Sequence, residues 1–348
     1  MTAAPPSPST DVHEAPSAIS TGAVRLLCLP MADRTLRLRL HLEGESRYGS
    51  VKTRTALALL GALEETGRLH PGGHVVESTS GNLGIALAGL CAERGYRCTL
   101  VVDDATSPYS LRLMAGLGAE LIQVKTPDRG HAVAERLRTV REFLAAHSLA
   151  VWTDQYHNPA GPAAHAATTG PALLHHGRLP YPDAVLVPVS TGGTLAGVAT
   201  YVRAEAPEVR IWAVDAVGSA ATGQTAAPRP DKLPGLGSGL TSRLLTAEHY
   251  DHVAYMTDAD AALTCRIVHA RTGIALGGSA GAAVLAAITT AARNPQVRDV
   301  ACLCPDGGDR YQNTIYAPSP PRTALCEPAT SSASAALQHL TMEREPAR

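Results

Sequence analysis

The chain has 348 residues, of which 45% are hydrophobic and 18% charged, with a formal net charge of -1. A chain of this length and composition can bury the core of one large or two modest soluble domains. Its near-zero net charge and dispersed arginines give no electrostatic basis for binding nucleic acid or a membrane surface, so we expect small-molecule ligands.

Both ends of the chain are low in complexity. Residues 1–21 are rich in Pro, Ser, Thr and Ala and lack the basic start and apolar core of a secretion signal, so they are predicted to form a disordered tail. Pro, Ser and Ala return near the other end, and we predict that residues 318–348 are mostly disordered. The sequence contains no apparent membrane span and therefore indicates a cytoplasmic protein.

Predicted strands and helices alternate along the chain. Apolar runs rich in β-branched residues predict the strands, and runs rich in alanine and leucine predict the helices. In the first half these elements are strand 36–42, helix 55–65, a strand at 75–76, helix 85–92, strand 98–102, helix 110–117, strand 120–124 and helix 132–145. In the second half they are strand 184–189, helix 195–206, strand 210–215, helices 258–271 and 281–292, and strand 300–304. This alternation implies parallel β-α-β units with binding sites at the carboxyl ends of the strands.

Two polar loops come directly before predicted helices. The first is Glu-Ser-Thr-Ser-Gly-Asn-Leu-Gly at 77–84, and the second is Ser-Thr-Gly-Gly-Thr at 190–194. Hydroxyl groups and unpaired N–H groups at the positive end of a helix suit a carboxylate or a phosphate. Ordinary capping of a structural helix by Ser78 or Ser80 is the alternative for the first loop.

Lysine is rare in this chain, where Lys52, Lys125 and Lys232 are the only three. Since arginine cannot form an imine, each lysine is a candidate for that chemistry. Lys52 at a helix start, together with the two anion-binding loops, suggests a cofactor that carries a phosphate and an aldehyde, which describes pyridoxal phosphate. A surface lysine at a helix start is the alternative.

Three other chemistries are less well supported. The Gly-x-Ser-x-Gly pattern around Ser279 matches a hydrolase elbow, but a helix is predicted before it and the only later histidine, His339, lies in the low-complexity tail. Neither glycine loop has the dinucleotide-binding fingerprint. The adjacent His175 and His176 would face different directions on a helix, so we predict no metal site.

Seven motifs resemble the cysteine synthase family, in the order that family has them. They are Gly-Ser-Val-Lys-Thr-Arg (49–54), Glu-Ser-Thr-Ser-Gly-Asn (77–82), Asp-Gln-Tyr-His-Asn-Pro (154–159), Thr-Thr-Gly-Pro (168–171), Ser-Thr-Gly-Gly-Thr (190–194), Gly-Gly-Ser-Ala-Gly-Ala-Ala (277–283) and Pro-Asp-Gly-Gly-Asp-Arg-Tyr (305–311). The resemblance implies an α/β protein with the fold of tryptophan synthase β, in which two three-layer α/β/α domains have twisted, mostly parallel sheets. We expect a large cofactor-binding domain formed by residues 22–45 and 153–317, a smaller mobile domain at 46–152, and a homodimer.

The resemblance also implies which residues bind pyridoxal 5'-phosphate. Lys52 matches the Schiff-base lysine, Asn82 the residue that hydrogen-bonds to the cofactor's ring oxygen, and Ser279 the hydroxyl that faces the pyridine nitrogen. The phosphate loop is implied to comprise Ser190, Thr191, Gly192, Gly193 and Thr194. The implied substrate-binding residues are Ser78, Thr79, Ser80, Gly81, Gln155, Tyr156 and Arg136. A serine hydroxyl does not keep the pyridine protonated, which disfavours a long-lived carbanion and suits β-elimination.

The implied reaction is β-replacement on a β-substituted L-serine. The substrate displaces Lys52, which takes the α-proton as general base, and a bound aminoacrylate then accepts a second nucleophile. Several positions depart from the usual family pattern: Ser46 and Arg47 replace Asn-Pro, Thr53 replaces Asp, Ser190 replaces Gly, and Tyr156 replaces Phe.

These departures make the chain more similar to the siderophore and peptide-antibiotic branch of the family. The best-known activity of that branch joins O-phospho-L-serine to L-glutamate on the way to 2,3-diaminopropionate. Arg136 resembles the anion-binding arginine of this branch, and we expect it to meet the leaving phosphate or a glutamate carboxylate with Tyr156 and Ser190. A solvated helix face is the alternative for Arg136.

Three alternative functions stay open. The first is a sulfide-using cysteine synthase acting on O-acetylserine or O-phosphoserine, and the second is a serine or threonine dehydratase. The third is a non-catalytic relative that binds a partner protein, although the presence of Lys52, Asn82 and Ser279 argues against it.

Overall fold

The computed structural model describes residues 22–125, 132–229, 232–317 and 337–343. The predicted tail at 1–21 and most of the predicted tail at 318–348 lie outside the described residues. The strands are β1 (Ala23–Pro30), β2 (Thr35–Leu42), β3 (His74–Ser78), β4 (Arg97–Asp103), β5 (Glu120–Val124), β6 (Ala150–Trp152), β7 (Ala184–Pro188), β8 (Arg210–Ala216), β9 (His252–Met256), β10 (Asp299–Cys304) and β11 (Thr341–Met342). The α-helices are α1 (Lys52–Glu65), α2 (Asn82–Arg94), α3 (Pro108–Gly116), α4 (Ala132–Ala146), α5 (Ala160–Ala167), α6 (Thr169–Leu174), α7 (Gly193–Glu205), α8 (Asp258–Thr272) and α9 (Gly278–Arg293).

The strands form two sheets. The larger has the order β11-β1-β2-β10-β7-β8-β9, and the smaller has the order β5-β4-β3-β6. Every pair in the smaller sheet is parallel, and in the larger sheet only β1 runs antiparallel to its neighbours. The prediction of an α/β fold with mostly parallel sheets is confirmed.

Helices cover both faces of each sheet, because successive strand residues point to opposite sides. In β10, Cys302 and Cys304 pack in the cluster formed with α8 and α9, whereas Ala301 and Leu303 pack in the cluster formed with α6 and α7. The smaller sheet packs α1 and α2 on one face and α4 on the other. Each sheet and the helices on its two faces therefore form a three-layer α/β/α arrangement, with an apolar core on both sides of the sheet.

All strands of the smaller sheet fall within residues 74–152, and those of the larger sheet lie on either side of that range. This arrangement is compatible with the expected smaller domain at 46–152, whose boundaries and mobility stay predictions. Among the described residues, no helix combines the length and apolar character needed to span a bilayer.

Helices α1, α2, α3, α7 and α9 begin two or three residues earlier than predicted, and the shifts of α1 and α9 affect the site most directly. Helix α1 begins at Lys52 rather than at residue 55, and α9 begins at Gly278 rather than at residue 281. Ser279 therefore lies in the first turn of a helix and not in the turn between two helices. The earlier starts follow from backbone hydrogen bonds that a residue pattern does not reveal, such as those from Ala280 N and Gly281 N to Gly277 O at 3.0 and 3.1 Å.

Candidate active site

A cavity of about 370 Å³ lies between the two sheets at the carboxyl ends of their strands. Its wall is formed by the segments that follow β3, β4 and β6 in the smaller sheet and β7 and β10 in the larger one. Parallel strands place these loops at the same edge of each sheet, which is where α/β proteins bind ligands.

Twelve of the predicted site residues line this cavity. They are Lys52, Thr79, Ser80, Gly81, Asn82, Gln155, Tyr156, Ser190, Thr191, Gly192, Thr194 and Ser279. The other three, Ser78, Gly193 and Arg136, are not part of its wall. Residues separated by more than 200 positions are thus brought together around one space.

Lys52 is the first residue of α1, and its Nζ lies 3.5 Å from Thr191 Oγ1. Burial lowers the pKa of the Lys52 ammonium to about 8, and the Glu77 carboxylate partly opposes this shift. Desolvation disfavours the charged form, so about a tenth of Lys52 is a neutral amine at pH 7, far more than for an exposed lysine. Such an amine can attack an aldehyde or accept a proton.

The loop before α7 forms an anion cradle. Gly192 has a φ of +91°, which favours glycine, and a Cβ at this position would lie 2.2 Å from Ser242 Oγ. Ser242 Oγ donates to Thr191 O at 2.7 Å and so holds the loop in this conformation. No side chain among the described residues caps the N-terminus of α7, which leaves its first N–H groups available to a phosphate.

The loop before α2 presents a hydroxyl donor. Thr79 Oγ1 accepts the backbone N–H groups of Gly81 and Gly84 at 3.2 and 3.1 Å. Both lone pairs are then used, and the hydroxyl hydrogen is left to donate into the cavity. This arrangement suits an acceptor such as a substrate carboxylate.

Gln155 and Ser78 are linked to each other. Gln155 Nε2 donates to Ser78 O at 2.9 Å, which leaves the second amide hydrogen of Gln155 for a ligand. The Ser78 side chain is fully buried, and its Oγ has no hydrogen-bond partner among the described residues. Ser78 therefore contributes its carbonyl group to the position of Gln155 rather than its hydroxyl to the cavity.

Glu77 is a buried carboxylate for which the sequence suggested no separate role. Its carboxylate accepts hydrogen bonds from Ser78 N (2.6 Å), Trp152 Nε1 (3.1 Å), Gln155 N (3.1 Å) and the Thr153 hydroxyl. Burial raises the pKa of Glu77, and these hydrogen bonds oppose the shift. Glu77 ties the segment after β6 to the end of β3, so it fixes both substrate-side loops.

A second buried carboxylate holds Asn82. Asp306 Oδ2 accepts from Asn82 Nδ2 at 2.8 Å and from the Tyr311 hydroxyl at 3.2 Å. Burial raises the pKa of Asp306, whereas Arg310 and these hydrogen bonds lower it. One amide hydrogen of Asn82 stays available to a ligand in the cavity.

Ser279 lines the cavity from the N-terminus of α9. Its side chain is 1% exposed, and its Oγ makes no hydrogen bond within the described part of the chain. A buried hydroxyl without a protein partner suits a polar ligand atom such as a ring nitrogen.

Arg136 is buried rather than solvated. It is 3% exposed, and its Nη1 lies 3.0 Å from Asp103 Oδ2. The alternative of a solvated helix face is therefore wrong. Tyr156 lines the cavity, and although burial raises the pKa of its phenol, the neighbouring Arg136 guanidinium opposes that rise.

Three further charged residues lie in the cavity wall: Lys232, which the sequence offered only as one of three candidate lysines, and Asp306 and Arg310, to which it gave no separate role. Arg310 Nη2 donates to Tyr48 O at 2.8 Å, which ties the segment after β10 to the loop before α1. Asp306 and Arg310 belong to a recognised motif, but only their spatial partners indicate what they do. Within the described residues, no cluster of His, Cys, Asp or Glu could hold a metal ion.

Comparisons with known proteins agree with this geometry. Residues 22–306 match the family model described as "Pyridoxal-phosphate dependent enzyme", and the chain belongs to this family. Among its relatives, N-(2-amino-2-carboxyethyl)-L-glutamate synthase of Ralstonia nicotianae is 39% identical, over 79% of this chain and 81% of the relative. A cysteine synthase of Staphylococcus aureus is 36% identical, over 81% of this chain and 89% of the relative. The crystal structure of O-ureido-L-serine synthase matches with a TM-score of 0.77 and 29% identity, covering 87% of this chain and 95% of that one.

The prediction of an enzyme is confirmed: the protein is a pyridoxal phosphate-dependent β-replacement enzyme of the cysteine synthase type. The cavity fits that cofactor, because it combines a lysine of lowered pKa with a helix N-terminus beside Gly192 and a Ser279 hydroxyl, neither of which has a side-chain partner among the described residues. The alternative of a non-catalytic partner-binding relative is not supported.

Proposed function

We propose that the protein joins O-phospho-L-serine to an amine nucleophile such as L-glutamate and so makes a precursor of 2,3-diaminopropionate. The observation that carries this proposal is the Tyr156 phenol in the cavity wall, next to the buried Arg136. A phenol and a guanidinium suit an anionic group better than an apolar ring would. The Ralstonia relative, named for an amine-linked product of this type, supports the proposal.

The proposed cofactor contacts follow from the wall of the cavity. Lys52 would hold the cofactor aldehyde, Asn82 would donate to its ring oxygen, and Ser279 would face its ring nitrogen. The segment from Ser190 to Thr194, including Gly193, would receive the phosphate. When bound, pyridoxal phosphate supplies the electron sink that withdraws charge from the substrate α-carbon.

The protein's own groups would then act on the substrate. The Thr79 hydroxyl and the free amide hydrogen of Gln155, with Ser80 and Gly81 in the same wall, would bind the substrate carboxylate. Lys52 Nζ would take the α-proton, and the phosphate would leave with the electron pair of the Cβ–O bond. The amine of the second substrate would form the new bond to Cβ and lose a proton, and Lys52 Nζ would return a proton to Cα.

Tyr156, Ser190 and Arg136 are proposed to select the anionic partners. Ser190 Oγ donates to Gly237 O at 3.2 Å, and this hydroxyl would turn its hydrogen towards an anionic ligand in the cavity in order to bind it. Arg136 would act through Tyr156, because it does not itself line the wall. Its buried charge next to the phenol would strengthen the Tyr156 O–H as a donor.

A sulfide-using cysteine synthase is the second candidate, favoured by the 36% identity to the staphylococcal cysteine synthase. A serine or threonine dehydratase would need the same cavity without a second nucleophile, and no contact in the site favours it.

The proposal also includes a cytoplasmic homodimer that serves siderophore or peptide-antibiotic biosynthesis.

A competition experiment separates the candidates. Purified enzyme receives O-phospho-L-serine or O-acetyl-L-serine with equal concentrations of L-glutamate and sulfide, and mass spectrometry identifies the products. We expect the glutamate adduct to dominate with phosphoserine. Cysteine as the dominant product with either donor would contradict the proposal.

A double variant, Tyr156→Phe with Ser190→Gly, tests the residues that carry the proposal. Loss of hydrogen bonds to a charged group costs about 1.5–3 kcal/mol, so kcat/KM for the glutamate adduct should fall about 10- to 100-fold. The visible spectrum of the bound cofactor should stay that of the wild type, which serves as the control for folding. An unchanged kcat/KM for the adduct would exclude these residues as the source of specificity.

A further inference from the structure

In the described part of the chain, three positively charged side chains line the cavity: Lys52, Lys232 and Arg310. Lys52 is the proposed cofactor lysine. Arg310 is already engaged, because its Nη1 pairs with Asp309 Oδ2 at 3.1 Å and its Nη2 donates to Tyr48 O at 2.8 Å. Lys232, by contrast, makes no hydrogen bond or ion pair with any described residue. Its ammonium is therefore available to a ligand.

The two carboxylates that act on the Lys232 charge, Asp103 and Asp258, already have other partners. Asp258 accepts from Arg229 Nη2 at 2.6 Å and from its Nε at 3.0 Å, so both carboxylate oxygens are used. Asp103 Oδ2 lies 3.0 Å from Arg136 Nη1. These three cations and two anions leave a net charge of +1 in this part of the wall.

The electrostatic surroundings of Lys232 reflect this excess of positive charge. Desolvation, followed by the charges of Arg229 and Arg136, lowers the pKa of the Lys232 ammonium, and the two carboxylates oppose the shift only in part. An anion that entered the cavity beside Lys232 would offset both effects, because an opposite charge stabilises the ammonium form. This part of the wall is thus suited to an anionic group of a ligand.

Lys232 lies at the solvent-open end of the cavity. Its side chain is exposed, whereas Thr79, Gln155 and Ser279 in the same wall are buried. The proposed carboxylate site of the first substrate, at Thr79 and Gln155, is therefore further inside than Lys232. A second substrate that enters after the first must place its outer end near Lys232.

The structure of an acidic amino acid indicates which of its groups would reach this end. Its amine must approach Cβ of the first substrate in the inner part of the cavity. Its α-carboxylate is bonded to the carbon that carries the amine, so it lies close to the reacting atoms. Its side-chain carboxylate is separated from that carbon by the length of the side chain and would point towards the mouth.

We propose that Lys232 binds the side-chain carboxylate of the amine nucleophile and so makes the enzyme select an acidic acceptor such as L-glutamate. The inference rests on the proposed function and names the residue that recognises its second substrate. A charge-assisted hydrogen bond from the ammonium would hold the outer end of the acceptor while its amine faces Cβ.

Lys232→Gln removes the charge and tests this role with two acceptors of similar size. A hydrogen bond to a charged group contributes more in a buried site than an ion pair does at an exposed one, and Lys232 lies between these cases. At saturating O-phospho-L-serine we therefore expect kcat/KM for L-glutamate to fall about five- to tenfold. For L-glutamine, which lacks the side-chain charge, kcat/KM should change less than about twofold.

Two further variants serve as controls. Lys232→Arg keeps the positive charge and should retain most of the preference for L-glutamate over L-glutamine. Lys125→Gln removes an exposed lysine outside the cavity and should leave kcat/KM for both acceptors as in the wild type. Equal losses for the two acceptors in Lys232→Gln would overturn the inference, because the side-chain carboxylate would then not be the group that Lys232 binds.

The cofactor spectrum separates the second substrate from the first. When O-phospho-L-serine is added alone, the cofactor band of Lys232→Gln should shift at the wild-type rate. A slower shift together with an unchanged preference between the acceptors would mean that Lys232 meets the leaving phosphate, which would also overturn the inference.

Failure of the inference is distinguishable from failure of the proposed function. A wild-type enzyme that makes cysteine in place of the glutamate adduct would refute both. A wild-type enzyme that makes the adduct, together with a Lys232→Gln variant that keeps the full preference for L-glutamate over L-glutamine, would refute the inference alone.

Discussion

At the scale of single residues, the site combines side chains from short local motifs with buried partners that lie far away along the chain. Lys52, Thr79 and Thr191 stand in short stretches whose residue types already suggest imine formation and anion binding. Asp306 and His165 gave no comparable signal. Asp306 meets Asn82 across 224 positions, and His165 meets Thr55 across 110, so only the folded chain reveals their partners.

The lowered pKa of Lys52 predicts how cofactor loading depends on pH. Only the neutral amine attacks an aldehyde, so the rate of loading the apoprotein should rise about tenfold per pH unit below the pKa of about 8 and level off above it. Stopped-flow absorbance measures this rate.

Nα-acetyl-lysine, whose free side-chain amine is solvated, is the control for the Lys52 loading rate. Its rate of reaction with the cofactor should still increase with pH well above pH 8. A loading rate for the protein that keeps rising through pH 9 in the same way would contradict the shift.

The same shift predicts how stability depends on pH. Because the pKa of Lys52 is about 8 in the folded chain and 10.5 in the unfolded chain, the native apoprotein binds fewer protons between these two values. Its free energy of unfolding should therefore rise with pH from about 8 upwards.

At the scale of elements, the long apolar and alanine-rich runs predicted their structures well. Strand β5 has the predicted bounds, and α4 differs by one residue. Strands β1, β6, β9 and β11 were not predicted, and neither were the short helices α5 and α6. Strand β11 has two residues and exists only because β1 offers an edge, so its own sequence contains little signal.

Glu77 is predicted to support both substrate-side loops. In Glu77→Gln an NH₂ group replaces one of the two carboxylate oxygens, and each of these oxygens accepts from two donors. Two of the four donors therefore lose their acceptor. We expect the free energy of unfolding to fall by about 2 kcal/mol and KM for the amino-acid donor to rise more than kcat falls.

Glu120→Gln is the matched control for Glu77→Gln. Glu120 begins β5 in the same sheet, but it is exposed, so its substitution should change stability by less than about 0.5 kcal/mol. Urea denaturation and steady-state kinetics measure both variants. Equal effects of the two substitutions would refute the supporting role of Glu77.

The segment 337–343 is predicted to stabilise the larger sheet. Leu340 is 1% exposed in the same core as β1, and β11 pairs with β1 through Leu27 and Met342. Leu340→Ala should lower the free energy of unfolding by about 3 kcal/mol through lost burial and a cavity. Met342→Ala, at a position that is 43% exposed, should lower it far less. Urea denaturation that shows similar small losses for both variants would mean that this segment does not pack as described.

At the scale of the whole molecule, the alternation of strands and helices predicted the α/β class, because each parallel pair needs a crossover helix. The order of the strands could not be predicted. The larger sheet places β1 and β2, from the start of the chain, beside β7, β8, β9, β10 and β11 from its second half. The strands of the smaller sheet lie between these two parts of the chain. Such an order depends on contacts between distant residues, which a single sequence does not contain.

The central claim is that this cavity carries out β-replacement with an amine nucleophile, and the visible spectrum of the purified protein tests it most directly. Lys52→Ala is the active-site control, and Lys125→Ala is the matched lysine control because Lys125 is exposed and outside the cavity. Both variants are measured beside the wild type as O-phospho-L-serine and then L-glutamate are added.

We predict a cofactor band in the wild type and in Lys125→Ala that shifts with O-phospho-L-serine and returns with L-glutamate, and no Lys52-linked band in Lys52→Ala. A shift that only sulfide reverses would identify a cysteine synthase instead. A wild-type protein without a cofactor band, or with a band that no β-substituted serine changes, would contradict the account.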